Sequence, residues 1–136
     1  MIKKLLSIFL LIFLLIIGVQ EMSQAKENNW EKVFPKSDKV NIQKVEFVNR
    51  FGIKLVGDLY LPQNMKKGDK LPAIAISGPF GAVKEQASGL YAQTLAEKGF
   101  ITLAFDPSYT GESSGTPRNI ASPDINTEDF SAAFDF

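Results

Sequence analysis

The chain is 136 residues long, with 15 Lys+Arg against 15 Asp+Glu, 45% hydrophobic residues, no histidine and no cysteine. That balance suits one globular domain and argues against a nucleic-acid partner, which needs a basic patch. Without cysteine the chain forms no disulfide and offers no thiolate nucleophile, and without histidine it lacks the usual general base.

Lys3 and Lys4 precede an apolar run from Leu5 to Val19, interrupted by Ser7 and Gly18, and Ser23-Gln24-Ala25 comes next. Such a run of about 15 residues extends roughly 22 Å as a helix, short of the hydrocarbon core of about 30 Å. A basic head, a short apolar body and a small-x-small site read as a secretory signal peptide over residues 1–25, cleaved after Ala25. The alternative is an uncleaved anchor formed by residues 5–19, which would be the chain's contact with a membrane. Export to the periplasm or the extracellular space is the expectation.

Residues 26–39 are polar around Trp30 and Phe34, with Pro35 breaking any regular element, and read as a linker or N-terminal arm. Val40 to Val48 reads as a strand carrying Val40, Ile42, Val45 and Phe47, with a phase slip at Gln43-Lys44 that suggests a bulge. Asn49 to Gly52 is a turn by composition. Ile53, Leu55, Leu59 and Leu61 then alternate with Lys54, Asp58 and Tyr60, the second strand of an antiparallel hairpin with one wetter face. After a polar loop from Gln63 to Lys70, the runs Ala73–Ile76 and Phe100–Phe105 are almost continuously apolar, as in parallel strands covered on both faces. Between them Ala87, Leu90, Tyr91 and Leu95 share one helix face, and Gly99 stands where a helix stops. Strand, helix and parallel strand make one right-handed crossover. A second helix is expected from Asn126-Thr127, with Glu128 and Asp129 at its positive end and Phe130, Ala133 and Phe134 on its apolar face.

In chain order the pieces are a hairpin, a strand ending in Ser77-Gly78-Pro79-Phe80-Gly81, a helix, and a strand running into Asp106-Pro107-Ser108-Tyr109-Thr110-Gly111-Glu112-Ser113. This order resembles the α/β-hydrolase fold. The stretches GAVKEQASGLYAQTLAEKGF and FDPSYTGESSGTPRNIASP are similar to segments of hydrolases related to dienelactone hydrolases, and the resemblance runs from Val40 to Phe136. It implies an α/β fold in which residues 40–136 form the N-terminal part of a hydrolase domain with an incomplete sheet. It also implies nucleophilic attack on an ester or related acyl bond of a small molecule, with no cofactor. In that fold the turn after the first parallel strand lends one backbone N–H to the oxyanion hole. Pro79 has no N–H, so Phe80 is the expected donor and Gly81 the fallback.

Gly111-Glu112-Ser113-Ser114-Gly115 fits the G-x-S-x-G pattern of a nucleophile elbow, but an elbow joins a strand directly to a helix. Here five residues separate Phe105 from Gly111, and Pro117 with its polar neighbours does not propagate a helix. The nucleophile and its histidine are therefore expected outside residues 1–136, and the chain is expected to be an N-terminal portion of an exported hydrolase, inactive alone. The alternative is a non-catalytic exported domain that binds a small ligand or a protein through its loops at Gly78 and Gly111. Lys84, Glu85 and Gln86 read as helix-entrance residues, Asp106 as a carboxylate that holds its loop, and Arg118 as structural. Asp106, Glu112, Asp124, Glu128 and Asp129 lack histidine partners and metal-site spacing, so no metal is expected.

Overall fold

A computed structural model describes residues 12–13 and 30–136 of the chain, which forms two compact units, residues 1–31 and residues 32–136. In the first unit Ile12 and Phe13 are helical and exposed. The signal peptide or anchor expected over residues 1–25 otherwise lies outside the described residues. Among those described, no helix is long and apolar enough to cross a membrane.

The second unit carries β1 (Val40–Val48), β2 (Lys54–Pro62), β3 (Ala73–Ile76), α1 (Ala87–Ala96), β4 (Ile101–Phe105) and α2 (Pro123–Asp135). The four strands form one mixed sheet in the order β1-β2-β4-β3. β1 and β2 pair antiparallel from Val40↔Pro62 to Val48↔Lys54, and β2 pairs antiparallel with β4 from Gly57↔Phe105 to Tyr60↔Thr102. β3 and β4 are parallel, from Ala73↔Ile101 to Ile76↔Ala104, joined by α1. This is the α/β architecture expected from the alternation of strand and helix periods.

Each sheet face has its own core. On one, Val40, Tyr60 and Ala104 pack with Ala92 and Ala96 of α1; on the other, Phe47, Leu55, Leu103 and Phe105 pack with Ala132 of α2. Burying a side chain such as Leu55 contributes about 2 kcal/mol. Aromatic rings reinforce the α2 side, with Phe105 edge-on to Phe130 at 5.1 Å and to Phe47 at 5.9 Å.

This two-sided burial corrects several expectations. β1 has no bulge: its pairing with β2 is unbroken. The apparent phase slip arises because Val40 and Ile42 face the α1 core while Val45 and Phe47 face the α2 core. β2 has no wet face either, since it is interior to the sheet and both Tyr60 and Asp58 are buried. The α1 helix occurs as expected, but Leu90 and Tyr91 are exposed, and the buried face is Ser88, Gly89, Ala92, Gln93 and Ala96. Small residues win that face because they let the helix approach the sheet and the arm. A Cβ built on Gly89 would stand 2.3 Å from the Lys84 carbonyl oxygen and 3.0 Å from the Phe34 ring. At the far end, the N–H groups of Gly99 and Phe100 reach the carbonyls of Ala96 and Leu95, the paired bonds of a glycine-terminated helix.

α2 begins at Pro123, three residues before the expected Asn126, with Ser122 at the N-cap position. Proline suits the first helical turn, where its missing N–H has no partner to lose. Glu128 and Asp129 are consequently mid-helix residues and not its positive end. The arm segment from Lys32 to Lys39 is docked: Val33 N–H donates to the Glu85 carbonyl at 3.1 Å and Ser37 N–H to Gln93 Oε1 at 3.1 Å. Gln93 Nε2 donates in turn to the Pro35 carbonyl at 3.0 Å.

Candidate active site at the ends of the parallel strands

β3 ends at Ile76, and the chain then makes a tight turn in which Ala82 N–H donates to the Pro79 carbonyl at 2.9 Å. Phe80 and Gly81 occupy its two central positions. Gly81 has φ +81°, a value that glycine adopts without a steric penalty. Among the described residues neither the Phe80 nor the Gly81 N–H donates to a protein acceptor. The Phe80 side chain is 71% exposed, so the turn presents its backbone and one aromatic ring to solvent.

Beneath that turn lies a buried ionic cluster that local sequence patterns do not reveal. Lys84, a helix-entrance residue by sequence, is fully buried. Its N–H donates to Asp106 Oδ1 at 2.8 Å, and its Nζ lies 2.9 Å from Asp106 Oδ2, 2.6 Å from Glu85 and 2.5 Å from Glu112. Asp106, immediately after β4, also accepts the Glu112 N–H at 2.9 Å. The expectation that it holds its own loop stands, and it holds the β3 turn as well. Lys44 on β1 closes the cluster from outside, 2.8 Å and 2.9 Å from the two Glu112 oxygens.

The charges respond to this arrangement. Hydrogen bonds from Lys44 and then Lys84 hold the Glu112 carboxyl well below its usual 4.5, at about 2. For Lys84 burial is the largest influence and pushes its pKa down, yet the hydrogen bonds to Glu112, Glu85 and Asp106 together raise it above its usual 10.5. Both groups are therefore ionised at neutral pH.

Ser113, the serine of the G-x-S-x-G pattern, is 1% exposed. Its hydroxyl donates to the Asp106 carbonyl at 2.6 Å and accepts the Val56 N–H at 2.9 Å. A hydroxyl so engaged and so covered cannot meet a substrate. Ser114 acts alongside, accepting the Lys54 N–H on its Oγ and donating its own N–H to the Lys54 carbonyl. Together they extend pairing of the β4 loop along the start of β2. Arg118 braces the loop by donating to the Ser113 carbonyl and, at 2.6 Å, to the Gly111 carbonyl.

A second buried network ties α2 to the same loop. Asp129 accepts Ser108 N–H at 2.8 Å, Ser108 Oγ at 2.7 Å and Asn49 Nδ2 at 2.8 Å. Asn49 uses its Oδ1 to cap the hairpin turn through Phe51 and Ile53 N–H, each at 3.0 Å. The β1–β2 turn, the β4 loop and α2 thus share one carboxylate. The polar residue of a turn and an acidic residue inside a helix are the only signals for it in sequence.

No family model matches the chain. It is 68% identical over 119 residues to the Pseudomonas aeruginosa protein PA2218, covering 88% of this chain and 32% of that protein. The crystal structure of PA2218 superposes with a TM-score of 0.76 at 72% identity, over 80% of this chain and 34% of that one. The Aspergillus aculeatus thiohydrolase aneE is 38% identical over 92 residues, covering 68% of this chain and 27% of its own length. The α/β hydrolase GrgF from Penicillium sp. sh18 matches with a TM-score of 0.60 at 28% identity, over 68% of this chain and 30% of that structure. The chain therefore spans about a third of the length of the relatives it matches. Distant homologues and structural neighbours are α/β-hydrolase-like, and the four-stranded mixed sheet with its helices is part of that fold.

Proposed function

We propose that this chain supplies the N-terminal part of an exported hydrolase, related to the dienelactone hydrolases, that cleaves ester or related acyl bonds of small molecules. The observation that carries the reading is the turn after β3, whose Phe80 and Gly81 N–H groups are without protein partners among the described residues, at the end of a parallel strand. Phe80 N–H is assigned as one donor of the oxyanion hole, with Gly81 N–H as the fallback. Such donors act by being fixed before negative charge develops on the attacked carbonyl oxygen. The nucleophile, its histidine base and the second donor belong to the part of the hydrolase fold outside residues 1–136. Alone, the chain is inactive. The thiohydrolase relative supports an acyl bond as the target.

The test joins residues 1–136 to the C-terminal remainder of PA2218 and measures hydrolysis of oxygen esters and thioesters. Phe80→Pro removes the N–H while keeping a φ that the turn's first central position accepts. It should lower kcat on the order of 10²–10³-fold, whereas Phe80→Ala, which keeps the N–H, should change it little. Equal rates for Phe80→Pro and the parent would remove Phe80 from the hole. Acyl hydrolysis by residues 1–136 alone would overturn the assignment of the nucleophile, and a protein that retains Met1 and stays in the membrane fraction would overturn cleavage after Ala25.

A further inference from the structure

We infer that Lys84 is the positioning residue of the oxyanion turn, an inference that rests on the hydrolase reading above. The turn from Ser77 to Val83 has one backbone hydrogen bond of its own, Ala82 N–H to Pro79, so its geometry depends on what holds its two ends. The near end is fixed by β3 pairing with β4. The far end is Lys84, four residues after Phe80, held to Asp106 at two points, the backbone N–H on Oδ1 and the ammonium on Oδ2. Two contacts on one planar carboxylate fix orientation as well as distance, which a single contact cannot do. Asp106, the residue after β4, is itself placed by β2 through its N–H to the Val56 carbonyl and by its own loop through the Glu112 N–H on Oδ2.

The ammonium also sets the local charge. It is a buried cation among the carboxylates of Glu85, Asp106 and Glu112. Replacing it by a neutral group leaves that negative charge uncompensated, opposing the oxyanion more than the neutral substrate. A buried ion pair is a poor device for stability alone, because an apolar pair of equal volume does as well. A locked direction for a neighbouring functional group is something an apolar pair does not provide. Lys84 therefore acts on kcat through the turn and touches no substrate.

The experiment uses residues 1–136 joined to the PA2218 remainder. Lys84→Met should lower kcat on the order of 10²-fold, as a misplaced donor does, with KM changed less than about threefold. Lys98→Met, at an exposed position in the turn after α1, should leave both constants unchanged. A parent without acyl hydrolysis overturns the hydrolase reading, and this inference with it. An active parent whose Lys84→Met variant keeps its kcat, or changes in KM alone, overturns the positioning role and leaves the hydrolase reading standing. If Lys84→Met fails to fold, Glu112→Gln decides, since it weakens one ammonium contact at a half-exposed position. A several-fold drop in kcat at constant KM supports the inference, and an unchanged kcat overturns it.

Discussion

The loop end of the sheet and its outer flank at β3 are built on opposite principles. At the loop end Lys84, Asp106, Ser108, Ser113 and Asp129 are all less than 2% exposed, and each has polar partners. At the flank, β3 is four residues long, ends the strand order and has no fully buried residue. Beside it an apolar groove of about 290 Å³ runs between Leu59, Leu61, Ile74, Leu103, Phe134 and Phe136. The other sheet edge, β1, carries Gln43, Lys44 and Glu46, side chains that discourage pairing with a stray strand. Polar geometry at the loop end is completed by a few partners within this stretch of chain, whereas the β3 flank keeps an apolar groove open.

The comparison breaks most visibly in solution. Residues 26–136 expressed alone should be insoluble or loosely structured, because the Ala-Ile-Ala-Ile edge of β3 and the groove offer apolar surface and unpaired backbone. A soluble monomer with a sharp cooperative thermal transition would show that the flank needs no further cover. The next largest effect is expected at the loop end. Asp129→Ala in the protein joined to the PA2218 remainder should cost about 3 kcal/mol in urea unfolding, since Ser108 and Asn49 lose the acceptor of three buried donors. A loss below about 0.5 kcal/mol would mean that water replaces the carboxylate and that the network is not closed.

The smallest effect is a pH dependence. The Glu112 carboxyl is held at about 2, below its usual 4.5, so its contribution is complete above pH 5 and lost as pH falls through 2. The thermal midpoints of the parent and of Glu112→Gln should differ at pH 6 and converge near pH 2. A difference that persists at pH 2 would assign the effect to packing and not to charge. The half-exposed setting of Glu112 keeps the expected difference small.

The strands are legible in the sequence because period two and continuous apolar runs mark them, and β1 has the bounds that its pattern indicates. The face of α1 is not, because Gly89, Ala92 and Ala96 carry little hydrophobic signal while Leu90 and Tyr91 carry much. Closeness of approach, which favours small side chains, decides that face. The Phe80–Gly81 turn is legible as a turn because Gly-Pro-Phe-Gly after an apolar run marks one by composition. Lys84 is not legible, since its partners Asp106 and Glu112 come 22 and 28 residues later. A lysine before a helix ordinarily faces water, and only the three-dimensional meeting of the two loops makes it a buried cation. Asp129 reads as a helix-start residue only while Pro123, which opens the first turn, is taken as loop.

Phe34 and Gly89 carry a consequence for how this chain can diverge. A side chain at position 89 would meet the Lys84 carbonyl oxygen at 2.3 Å and the Phe34 ring at 3.0 Å, and hydrogen bonds through Gln93 fix the arm just after that ring. Trimming Phe34 would free only the ring side, because the backbone carbonyl of Lys84 stays in the way. Across descendants of this sequence position 89 should therefore remain glycine whatever residue stands at 34, while position 34 can become smaller on its own.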